Sequence, residues 1–335
     1  MTADAALAWT GPAWDAWCAR LAEGRRPPVL LLHGPPGVGK AQLAARMAAG
    51  VLCHAPTGPG VACGRCAGCQ QHAAGSHPDA LGLRPDPEQP GALAHYPVQA
   101  CQLEKGRSAR FVSVDQAREL IDHLTRAPRP GGTRLAVVWP ADALNENAAN
   151  ALLKILEEPP ENAATILIAH RPALLPATVR SRCQAVAVAL PDPHQADAWL
   201  TAFVPDGERR ALALRLAGGA PLLARELAGE DPQALWRAVA GGAQSVLRGA
   251  DPVAVASAWQ RFAPERVELA LYAWLRAQLR PGTGALESVQ GSGGRTLLPL
   301  IALLDELETL RRAARIALAR PLAWEGLLVR LAEAA

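Results

Sequence analysis

The chain has 335 residues, of which 50% are hydrophobic and 19% charged, and its formal net charge at pH 7 is +3. A chain of this length can bury a sizeable core, and we expect two or three domains. The small net charge excludes nucleic-acid binding through bulk electrostatics, so any such contact has to come from a local patch or from a partner.

The hydrophobic runs do not predict a membrane span. Arg, Glu, Pro or Gly interrupts each of them well before the roughly 18 residues that a spanning helix needs. The first residues, Met1–Asp4, lack a basic region followed by an apolar stretch, so no secretory signal is expected. We therefore expect a cytoplasmic protein without a membrane partner.

The first strongly marked elements are a short apolar strand at Val29–Leu32, a glycine-rich loop and a helix. The loop runs from Gly34 to Ala41 and reads Gly-Pro-Pro-Gly-Val-Gly-Lys-Ala. It matches the phosphate-binding pattern G-x-x-x-x-G-K-[ST] at every defined position except the last, where a hydroxyl helps to hold Mg²⁺. The candidate phosphate-binding residues of this degenerate loop are Gly34, Gly37, Gly39 and Lys40.

Four of the seven cysteines cluster within residues 53–69. Their spacing, C-x₉-C-x₂-C-x₂-C, contains two successive C-x₂-C steps, which are typical of thiolates that converge on a tetrahedral Zn²⁺. Four thiolates leave no open position for water, so we expect a structural Zn²⁺. A single histidine, from His54, His72 or His77, is the alternative to one thiolate. The expected ligands are Cys53, Cys63, Cys66 and Cys69.

Three further apolar segments predict strands. They are Leu135–Val138, Thr165–Ile168 and Ala185–Val188, and each is nearly continuous in hydrophobicity, as in strands covered on both faces. A helix is predicted to start after Asn145, a good N-cap residue, and to end before Pro159. Alternating strands and helices indicate an α/β domain with a parallel sheet.

The strand at Leu135–Val138 lacks the acidic residue that P-loop NTPases place at such a strand end to hold Mg²⁺. Trp139-Pro140 follows it, and Asp142 falls on the turn beyond, where it would reach a metal only if the loop folded back. Because Ala41 removes a second metal position, we expect no Mg²⁺ site and no hydrolysis. We expect ATP binding at the loop to be weak or absent.

After Pro191 the strand-like runs give way to segments rich in Ala, Leu and Arg at helical spacing. Glycine and proline clusters divide this part of the chain. We predict a small helical lid domain at residues 191–230 and an all-helical oligomerisation domain at residues 231–335. The α/β P-loop domain covers residues 1–190 and carries the cysteine cluster, residues 53–69, as an insertion.

Two further motifs indicate a family. Residues 150–160 read Asn-Ala-Leu-Leu-Lys-Ile-Leu-Glu-Glu-Pro-Pro, and residues 181–183 read Ser-Arg-Cys. Together with the glycine-rich loop and the inserted cysteines, they resemble the clamp-loader branch of the AAA+ proteins. The resemblance covers the chain from about residue 10 to residue 190 with specific motifs, and the helical remainder matches only in length and general character.

The resemblance implies that Ser-Arg-Cys supplies an arginine finger to ATP bound by the neighbouring subunit. Arg182 is then the candidate catalytic residue, acting in trans, because a guanidinium stabilises charge on a transferring phosphoryl group. Arg180 is the alternative finger, and a surface salt bridge is the purely structural alternative for Arg182. The resemblance also implies an arginine early in a helix of the small helical domain, where this chain has Leu222.

The losses at Ala41, Trp139-Pro140 and Leu222 together predict a clamp-loader subunit that does not hydrolyse ATP. The partners that the resemblance implies are motor subunits and a delta subunit in a heteropentamer, the sliding clamp, and primed DNA reached through the complex. Two alternatives stay open. One is an active AAA+ ATPase, and the other is a zinc module that reads nucleic acid, although Arg65 is the one basic residue within the cysteine loop.

Overall fold

The computed structural model describes residues 7–83, 99–100, 112–279, 298–313 and 320–333. The chain divides into two compact units, Met1–Asp192 and Pro193–Ala335. The further boundary that the sequence places at residue 230, between two helical domains, stays a prediction.

Within its described residues, the first unit is built on a parallel sheet of six strands. Their order across the sheet is β3-β2-β4-β5-β1-β6, and every pairing is parallel. In chain order the strands are β1 (Val29–His33), β2 (Ala80–Leu83), β3 (Gln99–Ala100), β4 (Arg134–Val138), β5 (Ala163–Ala169) and β6 (Gln184–Ala187). The predicted α/β P-loop domain with a parallel sheet is confirmed.

The edge strand β6 differs from the prediction. We expected a strand covered on both faces at Ala185–Val188, but β6 begins at Gln184 and its residues alternate between partly buried and exposed. The reason is its place in the sheet, since among the described strands β6 pairs with β1 alone and is the last strand on that side. Two strands, β2 and β3, were not predicted.

Helices cover the sheet. Asn145 caps α5 as predicted, because its Oδ1 accepts a hydrogen bond from the Ala148 N–H at 2.7 Å. Helices α4 and α5 contribute Leu120, Leu124 and Leu152 to the core beneath the sheet. The helices of this unit are α1 (Gly11–Ala22), α2 (Lys40–Leu52), α3 (Ala67–Ala73), α4 (Val114–Thr125), α5 (Glu146–Glu157) and α6 (Ala177–Arg180).

The second unit is helical throughout its described residues, as the sequence predicts. Trp259 packs edge-to-face on Trp324 in its core, with 6.2 Å between ring centroids. Among the described residues, no helix combines the length and the apolar character that a membrane crossing needs. The helices are α7 (Pro193–Thr201), α8 (Gly207–Leu216), α9 (Pro221–Gly229), α10 (Pro232–Val246), α11 (Pro252–Trp259), α12 (Pro264–Gln278), α13 (Leu298–Ala313) and α14 (Arg320–Glu333).

Candidate functional site

The glycine-rich loop connects β1 to α2 at the carboxyl edge of the sheet. Gly37 and Gly39 have φ values of 76° and 94°, which side chains rarely adopt. A Cβ on Gly34 would lie 2.2 Å from the carbonyl oxygen of Val188, so the first glycine is needed for the backbone of the domain itself. The structure therefore has the strand-loop-helix arrangement that the motif predicts. The close contact at Gly34 requires a glycine there whether or not the loop binds a phosphate.

The loop lysine is turned onto its own loop. Lys40 Nζ donates hydrogen bonds to the carbonyl oxygens of Gly34 at 2.7 Å and Pro35 at 2.5 Å, and the residue is only 3% exposed. Burial lowers the pKa of Lys40 to about 8, although the nearby charge of Asp142 acts in the opposite direction. A phosphate that used this lysine would have to replace two carbonyl contacts.

The two predicted gaps in the metal site have structural substitutes. The methyl group of Ala41 is buried in α2, with the residue 6% exposed. Beyond β4 the chain passes through a cis Trp139-Pro140 bond into a short 3-10 turn that buries Asp142. In this turn Asp142 Oδ1 accepts the backbone N–H of His170 at 3.0 Å, which ties the ends of β4 and β5 together.

His170 is a residue of this edge that sequence reasoning missed. It follows β5 directly and packs edge-to-face against Trp139, with 6.1 Å between ring centroids. Burial, helped by the positive charge of Lys40, lowers the pKa of His170 to about 4, so the imidazole is neutral at physiological pH. The available signal was its position two residues past the predicted parallel strand Thr165–Ile168, at a strand end where functional side chains gather.

The four predicted zinc ligands come together. The Sγ atoms of Cys53, Cys63, Cys66 and Cys69 all lie within 4.8 Å of one another, and within the described residues these cysteines form the one cluster suited to a metal ion. Cys53 and Cys66 are 3.8 Å apart, and Cys63 and Cys69 are 4.0 Å apart. A tetrahedral Zn²⁺ with Zn–S bonds of about 2.3 Å requires sulfur separations of about 3.8 Å, so the cluster fits zinc.

Backbone N–H groups point at the sulfur atoms, as a thiolate cluster needs. Cys69 N–H donates to Cys66 Sγ at 3.4 Å, and this contact is the main reason why the pKa of Cys66 falls to about 6. Burial raises the pKa of Cys69 to about 12. Two of the three rival histidines make other contacts: His72 Nε2 pairs with the carbonyl oxygen of Ala45 at 3.1 Å, and His77 Nδ1 accepts the Asp79 N–H at 3.2 Å. The third, His54, lies beside the cysteines, since its Nε2 would be 3.0 Å from a Cβ on Gly68.

The segment from Cys53 to Cys69, called the cysteine module below, is packed closely against the C-terminal half of α2. A Cβ on Gly50 would lie 2.0 Å from the carbonyl oxygen of Gly60, and a Cβ on Gly68 would lie 2.4 Å from that of Leu52. Such approaches leave no room for a side chain. The module is therefore fixed to the α/β domain through backbone contacts.

The candidate finger lies at the amino ends of the parallel strands, whereas the glycine-rich loop lies at their carboxyl ends. Strands β1 and β6 run parallel with Leu30 opposite Gln184, and Arg182 precedes Gln184 by two residues. Arg182 is therefore at the end where β1 begins, whereas the loop follows the end of β1 at His33. The five residues of β1 span about 16 Å between the amino end and the carboxyl end of the strands.

Arg182 makes an intramolecular ion pair. Its Nη2 contacts Glu157 Oε1, and its Nη1 donates to the carbonyl oxygen of Thr178 at 2.7 Å. The side chain is 27% exposed and Nε finds no hydrogen-bond partner among the described residues. The alternative finger, Arg180, donates to the carbonyl oxygen of Pro172 at 3.3 Å.

In the second unit Leu222 is near the start of α9, where the resemblance implies an arginine. The arginine of that helix is Arg225, one turn further on. Its guanidinium stacks over Trp199 and Phe203 at 5.7 and 5.1 Å from the ring centroids. The cation–π contacts with this aromatic pair thus hold the guanidinium that lies nearest in α9 to Leu222, the position where the resemblance implies an arginine.

Comparison with known proteins identifies relatives. A family model described as DNA polymerase III, delta subunit, matches residues 10–192. The DNA polymerase III subunit delta′ of Pseudomonas aeruginosa is 38% identical over 220 residues, which cover 65% of this chain and 61% of the relative. That of Escherichia coli is 37% identical, covering 64% of this chain and 58% of the relative.

A third relative matches over a longer span. The DNA polymerase III subunit delta′ of Yersinia pestis is 31% identical over 310 residues, which cover 89% of this chain and 83% of that protein. The alignments to the first two relatives span less than two thirds of those proteins' lengths. Because the first unit has 192 residues, each of the three alignments extends into the helical unit.

Proposed function

Because the chain belongs to the family of DNA polymerase III delta′ subunits, we propose that it acts in the clamp loader as a subunit that does not hydrolyse ATP itself. In this role it presents Arg182 to ATP bound by the neighbouring motor subunit. The partners proposed are motor subunits and a delta subunit in a heteropentamer, together with the sliding clamp and primed DNA.

The position of Arg182 carries the proposal. Arg182 lies about 16 Å from the strand ends that carry the glycine-rich loop of the same chain. An arginine side chain is too short to span that distance. An arginine finger at this place therefore has to serve a nucleotide outside the chain. The partly exposed guanidinium is accessible to a neighbouring subunit, and it supplies several donors for phosphate oxygens.

The glycine-rich loop supports the absence of hydrolysis. Ala41 offers a buried methyl group where the motif has a metal-binding hydroxyl, and Trp139 stands where the motif family has an acid. Lys40 is already bound to two carbonyl oxygens of the loop. Each feature removes a contact that an attacking water, a metal ion or a phosphate would require.

The Zn²⁺ bound by the four cysteines has a structural role in this proposal. The four thiolates complete a tetrahedral shell and leave no position for a substrate. Bound there, the metal would cross-link the loop from Cys53 to Cys69, which the short glycine contacts attach to α2. No step of the phosphoryl transfer involves it.

The experiment is a reconstitution of the complex from this chain, motor subunits, delta subunit, clamp and primed DNA. We expect Arg182→Ala to lower stimulated ATP turnover by about tenfold or more, since arginine fingers contribute strongly to phosphoryl transfer. Arg180→Ala is the matched control and should leave turnover near the wild-type rate. A wild-type rate for the Arg182→Ala complex would refute the finger, and ATP turnover by the isolated chain would refute the inactive loop.

A further inference from the structure

The ion pair between Arg182 and Glu157 joins two motifs that lie 25 positions apart in the sequence. Glu157 is the last residue of α5, within the Leu-Glu-Glu-Pro-Pro segment, and Arg182 follows α6. We propose that Glu157 is a latch, a carboxylate that holds the Arg182 guanidinium at rest and competes with a nucleotide phosphate for it. The inference rests on the proposed function of Arg182 as a finger in trans.

The donors of the guanidinium show what the latch occupies. Nη1 donates to the carbonyl oxygen of Thr178 at 2.7 Å and contacts the Ser181 hydroxyl oxygen at 3.4 Å. Nη2 donates to the Glu157 carboxylate. A phosphate binds an arginine best through two parallel N–H donors, either Nη1 with Nη2 or Nε with Nη2. Each pair uses one of the two N–H groups of Nη2, so a phosphate that takes the N–H bound to Glu157 has to displace that carboxylate.

The position of Glu157 is unfavourable for its helix. The C-terminal end of a helix carries partial negative charge, and a carboxylate there is destabilising, whereas a cation such as Lys154 in the same turn is favourable. Helix stability therefore gives no reason for an acid at Glu157. The contact with Arg182 does give one, because it places opposite charges together and provides an acceptor for Nη2.

The pair is open to exchange. The Glu157 side chain is 51% exposed and the Arg182 side chain 27% exposed, so water and a partner molecule reach both. Ion pairs at such positions contribute little to stability and are screened by salt. The Nε atom, buried without a hydrogen-bond partner among the described residues, shows that the resting arrangement does not satisfy the whole guanidinium.

The competition gives the finger a preference for ATP over ADP in the neighbouring site. The terminal phosphate of ATP carries more negative charge than one carboxylate and attracts Arg182 away from Glu157. Once that phosphate has left, the guanidinium returns to the Glu157 carboxylate, its partner in the resting arrangement. The latch thereby lowers the basal rate at which the finger engages in the absence of clamp and DNA.

The test compares Glu157→Gln with Glu158→Gln in the reconstituted complex. Both remove one negative charge at neighbouring exposed positions, but Glu158 makes no ion pair with the described residues. We expect Glu157→Gln to raise basal ATP turnover, without clamp or DNA, by about two- to fivefold, the range expected from an exposed ion pair. Glu158→Gln should match the wild type. An unchanged or lower basal rate for Glu157→Gln would overturn the latch.

Two additional measurements separate the latch from other failures. The double variant Glu157→Gln/Arg182→Ala should turn over ATP at the rate of Arg182→Ala alone, because Glu157 acts through Arg182. A rise in basal rate that persists without Arg182 would also overturn the latch. If Arg182→Ala itself has no effect, the proposed function fails, whereas a loss with Arg182→Ala and no gain with Glu157→Gln rejects only the latch.

Discussion

At the scale of single residues, Lys40 is a buried cation, and burying its charge lowers the free energy of unfolding. Its Nζ is held by two carbonyl oxygens, and burial brings its pKa from 10.5 to about 8. Below pH 8 both the folded and the unfolded chain hold the proton, and the folded state bears the full cost of burying the charge. Between pH 8 and 10.5 the folded state loses the proton first, so the stability of the wild type rises with pH in this window.

We therefore predict that Lys40→Met stabilises the chain at neutral pH. A shift from 10.5 to about 8 corresponds to on the order of 3 kcal/mol, and loss of two hydrogen bonds offsets part of it, which leaves a gain of about 1 kcal/mol. Urea unfolding at pH 7 and pH 9.5 measures the difference, which should shrink at the higher pH.

The exposed Lys154 provides the control for this prediction, since Lys154→Met also removes one positive charge, but a charge that is not buried in the folded chain. It should change the free energy of unfolding little at either pH. A Lys40→Met chain that is less stable than the wild type at pH 7, or a difference that does not depend on pH, would contradict the assigned cost.

Some residues of the site followed from the sequence and others did not. The phosphate-loop glycines and the four cysteines are recognisable because their chemistry depends on local spacing. Asp142 and His170 are separated by 28 positions and meet only because β4 and β5 pair in parallel register. The same holds for Glu157 and Arg182, whose contact no local pattern encodes.

At the scale of elements, the cysteine module depends on glycines that admit close backbone approach. In a helix, Gly→Ala ordinarily stabilises by up to about 1 kcal/mol. At Gly50 in α2 the added Cβ would meet the Gly60 carbonyl oxygen at 2.0 Å, so we predict that Gly50→Ala destabilises the first unit by about 1–3 kcal/mol. Thermal unfolding and the rate of zinc release measure the effect.

Gly58 is the matched control for this substitution. A Cβ there would meet only side-chain atoms of Val61, the nearest at 3.7 Å, so Gly58→Ala should leave stability within about 0.5 kcal/mol of the wild type. Equal effects of Gly50→Ala and Gly58→Ala would show that the module is not attached to α2 through this contact.

The zinc assignment makes a prediction of its own at this scale. We expect the purified chain to contain one Zn²⁺, and Cys66→Ser to lose it, because three thiolates and a hydroxyl bind zinc far more weakly than four thiolates. Elemental analysis gives the stoichiometry, and limited proteolysis should then cut within residues 53–75. Cys18→Ser, outside the cluster, should keep its zinc, and a full complement in Cys66→Ser would contradict the four-cysteine site.

The elements themselves could be predicted in part. The runs at β1, β4 and β5 are nearly continuous in hydrophobicity because both faces of a central strand are covered. Asn145 and Pro159 mark the ends of α5. Strand β2 is only four residues long and contains Gly82, so it has no distinct pattern. The half-exposed character of β6 depends on its position at the sheet edge, which is a property of the topology.

At the scale of the whole molecule, the strands of the sheet separate the glycine-rich loop from the proposed finger. The degenerate phosphate loop lies at the carboxyl edge of the sheet, and Arg182 lies at the opposite edge of the same pair of strands, β1 and β6. This arrangement fits the proposed subunit, which keeps the frame of an ATPase and is expected not to hydrolyse ATP. The chemistry that it assists is expected at the nucleotide of the adjacent subunit.

If Arg182 acts on a nucleotide held by another chain, its removal has to slow ATP turnover by the assembled complex. The measurement is the rate of ATP turnover by the reconstituted complex, stimulated by clamp and primed DNA, with wild-type chain or with Arg182→Ala. We predict a fall of about tenfold or more for Arg182→Ala while the complex still assembles. An assembled Arg182→Ala complex that hydrolyses ATP at the wild-type rate would contradict the account.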